Sequence, residues 1–132
     1  MARFADTFYF VALLHERDQH HHRVRDFAVT DPEHVVTTMW VPAEVANALG
    51  ALPCRSAAAR FLQDLEWDAR VHIVPGSEDL FRRGLRLYAA RPDKHWSLTD
   101  CISFVVMEQE FLQEALTRDH HFAQAGFTAV FA

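Results

Sequence analysis

Four acidic residues stand where a parallel sheet would present its reactive side chains. Asp6 directly follows the first predicted strand, Asp119 follows the fourth, and Glu44 and Asp100 lie in the first turns of predicted helices. Ligands of open parallel sheets bind beyond the carboxyl ends of the strands. We therefore expect the four carboxylates to share one edge of the sheet.

A cluster of like charges requires compensation. Two carboxylates 4 Å apart repel by about 4 kcal/mol at an effective dielectric constant near 20, and the cluster raises its own pKa values unless a cation sits in it. Hard divalent cations prefer oxygen ligands. Mg²⁺ or Mn²⁺ with open water positions suits phosphodiester hydrolysis, because the ion polarises the phosphate and lowers the pKa of an attacking water.

Each of these acids also has a purely structural explanation. Acids stabilise helix N-termini, and the segment from Ser97 to Asp100 has the spacing of a capping box. The helix that carries Asp100 is nevertheless apolar on both faces over residues 98–107. A helix that is apolar all round is buried, and a buried acid favours a functional role.

The elements that must position the acids alternate along the chain. Short β-branched or apolar runs predict five strands, at 3–5, 34–38, 71–74, 114–117 and 128–131. Amphipathic runs predict about seven helices, at 8–16, 18–29, 43–49, 56–67, 78–90 and 97–110, with a short one between the last two strands. Strands separated by helical crossovers predict an α/β fold with a mostly parallel sheet and helices on both faces.

Length and composition set further bounds. The chain has 132 residues, half of them apolar, which predicts a single domain over 1–132. The 13 basic and 18 acidic residues give a net charge of −5, so a large basic face for nucleic acid is not indicated, although a local patch is compatible. Cys54 and Cys101 lack the spacing of metal ligands, and we expect them to be free thiols in a reducing compartment. No apolar run reaches the roughly 20 residues of a membrane span, and we expect a cytoplasmic protein.

Five segments together resemble the PIN domain family, and VapC-type toxins within it most closely. They cover 4–7 (FADT), 42–47 (PAEVAN), 96–103 (WSLTDCIS), 116–122 (LTRDHHF) and 125–127 (AGF), so the resemblance spans essentially the whole chain. It implies a three-layer α/β/α fold with a sheet ordered 3-2-1-4-5.

The same resemblance implies a function. It implies a Mg²⁺- or Mn²⁺-dependent endoribonuclease, the toxin of a type II toxin–antitoxin pair, whose partners are RNA, a cognate antitoxin and a second copy in a homodimer. The matching catalytic and metal-binding acids are Asp6, Glu44, Asp100 and Asp119. Thr7 and Thr99 match the hydroxyls beside the first and third acids. The 11 phenylalanines add an expectation from composition, namely an apolar groove between helices for a partner protein.

Two other function classes were weighed. A non-catalytic PIN-like module that binds RNA or protein should have lost at least one acid, and all four are present. A phospho-receiver domain needs an Asp at the end of its third strand and a Lys near its fifth. Here the third strand ends in Val74-Pro75-Gly76, and Lys94 is the only lysine.

Several basic and aromatic residues keep two interpretations each. Arg82 and Arg83 follow Glu78 and Asp79 at salt-bridge spacing, and together with Arg86 they form either a solvated face or an RNA phosphate contact. His120 and His121 either face water or approach a bound phosphate. The run His20–His22 favours a solvated helix face, since successive helical residues point about 100° apart. Trp40 and Trp96 favour packing at a core edge over base stacking.

Overall fold

Five parallel strands form one sheet in the order β3-β2-β1-β4-β5 in the computed structural model, which describes residues 1–51 and 53–132. Phe4 in the central strand lies opposite Val36 on one side and Ala115 on the other. The predicted number of strands, their direction and their order are confirmed. The strands are β1 (Arg3–Ala5), β2 (Val35–Thr38), β3 (Val71–Val74), β4 (Glu114–Leu116) and β5 (Thr128–Ala129).

Seven helices connect the strands in the described part of the chain. They form two groups, α1 to α4 and α5 to α7, whose members pack against one another. The helices are α1 (Thr7–Leu14), α2 (His21–Thr30), α3 (Trp40–Ala48), α4 (Cys54–Leu65), α5 (Glu78–Ala90), α6 (Leu98–Gln109) and α7 (His120–Gln124).

Several predicted helix boundaries differ from the structure, among them the start of the helix expected at 43–49, which lies at Trp40. The helix expected at 8–16 ends at Leu14, and the one expected from residue 18 begins at His21. Asp18 explains the second difference, because its carboxylate accepts the backbone N–H of His20 at 2.8 Å and holds a turn before α2. The helix expected at 56–67 lies two residues earlier, over Cys54–Leu65.

Helix α6 runs through the core and is buried along most of its length, as its sequence predicts. α5 approaches it closely at Gly84, where an added Cβ would stand 2.2 Å from Cγ1 of Ile102. Phe104 of α6 packs edge-on against Phe122 at 4.9 Å and against Trp96 at 5.1 Å. The core position predicted for Trp96 is confirmed. This packing fixes the direction of α6, whose first turn carries Asp100.

A charged residue begins the central strand because it closes an ion network. Nη1 of Arg3 lies 2.6 Å from Oδ1 of Asp31, and its Nε lies 3.0 Å from Oε1 of Glu114. The guanidinium also stacks over the ring of Phe27. The network ties β1 and β4 to the end of α2, at the edge where the strands start.

We searched the described residues for a membrane-crossing helix, and none combines the necessary length with the necessary apolar character.

Candidate active site

Asp6 lies at the opposite edge, where β1 ends and α1 begins. Its side chain is buried, and Oδ2 accepts a hydrogen bond from the hydroxyl of Thr117 at 3.0 Å. Burial, together with smaller contributions from the negative charges of Asp100 and Glu44, raises the pKa of Asp6 to about 7 against the hydrogen bonds that lower it. Both acids must therefore lie near Asp6.

Asp100 approaches from the first turn of α6 and is also buried. It completes a capping box, since its Oδ2 accepts the N–H of Ser97 at 3.1 Å while its own N–H donates to Oγ of Ser97 at 3.0 Å. Burial raises the pKa of Asp100, and the charge of Asp119 adds to that increase. Asp100 therefore both caps α6 and belongs to the acid cluster.

Glu44 enters the cluster from the second turn of α3. The hydroxyl of Thr7 donates to its Oε1 at 2.6 Å, which holds the carboxylate toward the start of α1. Thr7, expected beside the first acid, therefore contacts the second acid directly. Thr99 differs, because its hydroxyl makes no hydrogen bond to the four acids within the described residues and only its carbonyl is used, by Ser103.

Asp119 follows β4 and is positioned by backbone groups. Its own N–H donates to the hydroxyl oxygen of Thr117 at 3.0 Å, and its Oδ1 accepts the N–H of His121 at 2.9 Å. Thr117 is fully buried and so joins Asp6 to Asp119. Thr117 is a site residue that was not predicted from the sequence. The available signal was a hydroxyl residue at the carboxyl end of a strand, two positions before the fourth acid.

His121 lies between two of the acids. Its Nδ1 is 3.2 Å from Oδ2 of Asp100 and 3.2 Å from Oδ1 of Asp119. His120 stands outside it, largely exposed, with its Nδ1 3.8 Å from Oδ1 of Asp119. Of the two histidines, His121 belongs to the acid cluster and His120 to its rim.

The four acids form a chain of neighbours rather than a closed group. Electrostatic coupling joins Glu44 to Asp6, Asp6 to Asp100, and Asp100 to Asp119. Among the described residues, no three of the four bring their oxygens within 4.8 Å of one another, and none pairs with a Lys or Arg. Buried carboxylates with raised pKa values and no Lys or Arg partner are a donor set that suits a hard divalent cation.

The arginines of α5 lie away from this cluster. Arg82 pairs with Glu78, and Arg83 lies 2.7 Å from Oε1 of Gln109. Gln109 is nine residues from Asp100 on α6, or about 13 Å along the helix axis. Arg82 and Arg83 therefore belong to a solvated face with salt bridges. Contact of Arg82, Arg83 and Arg86 with RNA remains a prediction.

The three consecutive histidines occupy three different environments, so the prediction of one solvated face is wrong. His21 is buried, with Nδ1 2.7 Å from the carbonyl oxygen of Ala12. His22 is exposed. His20 stacks on Phe8, and its Nε2 accepts a hydrogen bond from Nη1 of Arg118 at 2.8 Å. This contact holds a guanidinium one residue before Asp119.

Comparisons with known proteins place this geometry in a family. The model of the PIN domain matches residues 3–128. The chain is 26% identical over 127 residues to the 23S rRNA-specific endonuclease VapC20 of Mycobacterium tuberculosis, covering 96% of each protein.

Two solved structures share the fold. One is the crystal structure of Mycobacterium tuberculosis VapC20, described as a Sarcin-Ricin loop cleaving toxin, with a TM-score of 0.88 and 24% identity over 98% of each chain. The other is FitAcB from Neisseria gonorrhoeae, with a TM-score of 0.62 and 22% identity over 100% of this chain and 97% of that one. By its fold and by the family match over almost its whole length, the chain belongs to the PIN domain family.

Proposed function

We propose that this protein is a divalent-metal-dependent endoribonuclease and the toxin of a type II toxin–antitoxin pair. The observation that carries the proposal is the meeting of Asp6, Glu44, Asp100 and Asp119 at the strand-end edge of a PIN domain. The relative VapC20, named as a 23S rRNA-specific endonuclease, supports the same reaction class. We infer RNA as the substrate and 23S rRNA as the first RNA to be tested.

The chain's own residues fix the acids before any substrate arrives. Thr117 orients Asp6 and Asp119 together, and Thr7 orients Glu44. The Ser97 N–H holds Asp100 at the start of a buried helix that cannot easily move. Such preorganisation is effective because fixed groups in a dry site need no reorganisation during the reaction.

The proposed ligands of Mg²⁺ or Mn²⁺ are these four acids. When bound, the ion polarises the phosphate and lowers the pKa of an attacking water. Burial disfavours the charged form of Asp6 and of Asp100, so both carboxyl groups have a strong electrostatic reason to accept a cation.

Basic residues around the acids are the proposed contacts to RNA phosphates. Arg118 and His120 lie on either side of Asp119, and both are exposed. His121 lies deeper, and Arg82, Arg83 and Arg86 are proposed for more distant phosphates. Contacts of this kind position the RNA without reading its sequence.

The decisive experiment is cleavage of structured RNA, including 23S rRNA, by the Asp100→Asn variant. Asn keeps the shape of the side chain and caps a helix nearly as well as Asp. We expect activity to fall by orders of magnitude while the fold is kept. Asp26→Asn is the matched control, because Asp26 is exposed and pairs only with Arg25. Full activity of a folded Asp100→Asn variant, or cleavage that persists in EDTA, contradicts the mechanism, whereas a folded wild type that cleaves no RNA favours the non-catalytic module.

The proposed antitoxin surface is an apolar cavity of about 220 Å³ beside α1 and α4. Phe10, Leu13, Phe61 and Leu65 form its apolar walls, and charged residues surround it at the strand-start edge. Co-expression with the product of the neighbouring reading frame should give one complex in size exclusion. Phe61→Glu should separate the two proteins and Phe111→Ser, far out on an exposed turn, should not. Separate elution of the wild-type pair contradicts this assignment.

A homodimer remains a proposal of its own. Phe81, Leu85 and Tyr88 leave an exposed apolar stripe along α5, which two copies of the helix would bury against each other. Light scattering measures the oligomeric state, and we expect a dimer for the wild type and a monomer for Leu85→Glu. A wild-type monomer at micromolar concentration contradicts it.

A further inference from the structure

Two imidazoles and a carboxylate converge beside the acid cluster. Asp119, His120 and His121 each offer one donor atom, and these atoms all lie within 4.8 Å of one another. Oδ1 of Asp119 is 3.2 Å from Nδ1 of His121 and 3.8 Å from Nδ1 of His120. Two ligands of a tetrahedral zinc ion bound at 2.0–2.1 Å are about 3.3 Å apart. The separations already approach that spacing.

The chemistry of these donors differs from that of the four acids. Mg²⁺ prefers oxygen ligands and keeps several waters, whereas imidazole nitrogen suits zinc and its neighbours among the transition metals. Affinity for a site that contains nitrogen rises toward the end of the first transition row. One carboxylate and two imidazoles together therefore favour a transition-metal ion of the zinc class over Mg²⁺.

The local structure positions all three donors on rigid backbone. The N–H of His121 holds the carboxylate of Asp119, and Thr117 holds the backbone of Asp119. His121 is mostly buried against Asp100, and His120 packs on its ring with centroids 4.5 Å apart. Asp100 lies 3.2 Å from Nδ1 of His121 and is a nearby anionic neighbour for a bound cation.

We propose that Asp119, His120 and His121 form a binding site for a transition-metal ion of the zinc class, next to the acids that we assign to Mg²⁺ or Mn²⁺. Three protein donors leave the fourth position of a tetrahedral ion for water. The site shares Asp119 with the proposed nuclease centre but goes beyond that function. Binding of a metal ion at this site does not depend on whether the protein cleaves RNA.

The test measures binding of Zn²⁺ to metal-free, full-length protein without RNA, by calorimetry at neutral pH. Co²⁺ serves as the spectroscopic probe, because its visible absorption reports nitrogen ligands and tetrahedral geometry. We expect His120→Asn and His121→Asn each to weaken Zn²⁺ binding by at least about tenfold, since even groups that only support a ligand cost 10–100-fold. Both variants should lose the Co²⁺ spectrum of the wild type.

The controls separate this site from other histidines and from the acids. His120 is exposed, so His120→Asn should fold normally even if His121→Asn does not. His22→Asn removes an exposed histidine of the internal run and should leave Zn²⁺ affinity unchanged. Unchanged affinity in His120→Asn, or a loss that appears in His22→Asn instead, overturns the proposal. An inactive nuclease that still shows these binding differences contradicts only the proposed function.

Discussion

The two edges of the sheet surround their acids with different partners. At the strand-start edge, Asp31 and Glu114 share the guanidinium of Arg3. At the strand-end edge, Asp6 and Asp100 are buried beside further acids, and within the described residues their neighbours are hydroxyls, backbone N–H groups and His121. The first set shares a guanidinium, and the second has no Arg or Lys partner among the described residues.

This difference separates structural charge from functional charge. A buried acid without a cationic partner costs stability, and the capping box offsets that cost for Asp100 but not for Asp6. Strongly perturbed carboxyl groups gathered in one place are typical of functional sites. The strand-start network shows that the same fold compensates its acids where only stability is needed.

The largest expected change in stability is that caused by Asp6→Asn, measured in the presence of EDTA. The pKa of Asp6 is about 7 in the folded state against an ordinary 3.8. The folded state therefore holds this proton more tightly, so the stability that Asp6 contributes is complete below about pH 4 and is lost as the pH rises to about 7. At about 1.4 kcal/mol per pKa unit, the loss is at most about 4 kcal/mol.

Asp6→Asn should consequently be more stable than the wild type at pH 8, with a flatter pH profile. Urea unfolding between pH 4 and pH 8 measures both quantities. Asp31→Asn is the control from the opposite edge, and it should be less stable than the wild type because it loses its ion pair with Arg3. If both substitutions changed stability in the same direction, the proposed difference between the two edges of the sheet would be contradicted.

Arg3→Met should destabilise the protein by about 3 kcal/mol, because removing one partner leaves buried charge uncompensated. Asp31, whose side chain is only 9% exposed, is the group that loses its partner. Adding Asp31→Asn should recover part of this loss, and the double-mutant cycle measures how much. Additive single effects would show that Arg3 contributes packing on Phe27 rather than charge.

Thr117→Val has the smallest expected effect on stability, about 1–2 kcal/mol, since the buried N–H of Asp119 loses its acceptor. Activity should fall much further, because the same hydroxyl orients Asp6. Thr117→Ser keeps the hydroxyl and should retain most of the activity. A loss of activity no larger than the loss of folded protein would reduce Thr117 to a structural residue.

Much of the fold was predictable because it follows from local patterns. Alternating short strands and amphipathic helices predicted the α/β class, and the family resemblance supplied the strand order that the structure confirms. Helix ends were less predictable, as at His21, because a single side chain, Asp18, decides where the turn closes.

The site was predictable only in part. Residues at strand ends and helix starts meet by topology, which is why Asp6 and Asp100 could be placed in advance. Thr117 and His121 depend on contacts between β4, α6 and α7, with His121 reaching Asp100 from another element. The two-residue spacing of Thr117 and Asp119 is visible in the sequence, but the contacts of Thr117 with Asp6 and of His121 with Asp100 join distant segments and leave no such pattern.

Binding of Mn²⁺ or Mg²⁺ to the strand-end edge tests the central claim most directly. Thermal unfolding should be followed with and without the ion, for the wild type, for Asp6→Asn and for Asp31→Asn. An ion at 100 times its dissociation constant should stabilise the wild type by about 2.7 kcal/mol. Asp31→Asn should keep that gain and Asp6→Asn should lose most of it. No stabilisation of the wild type by either ion, or an equal gain in Asp6→Asn, would contradict the account.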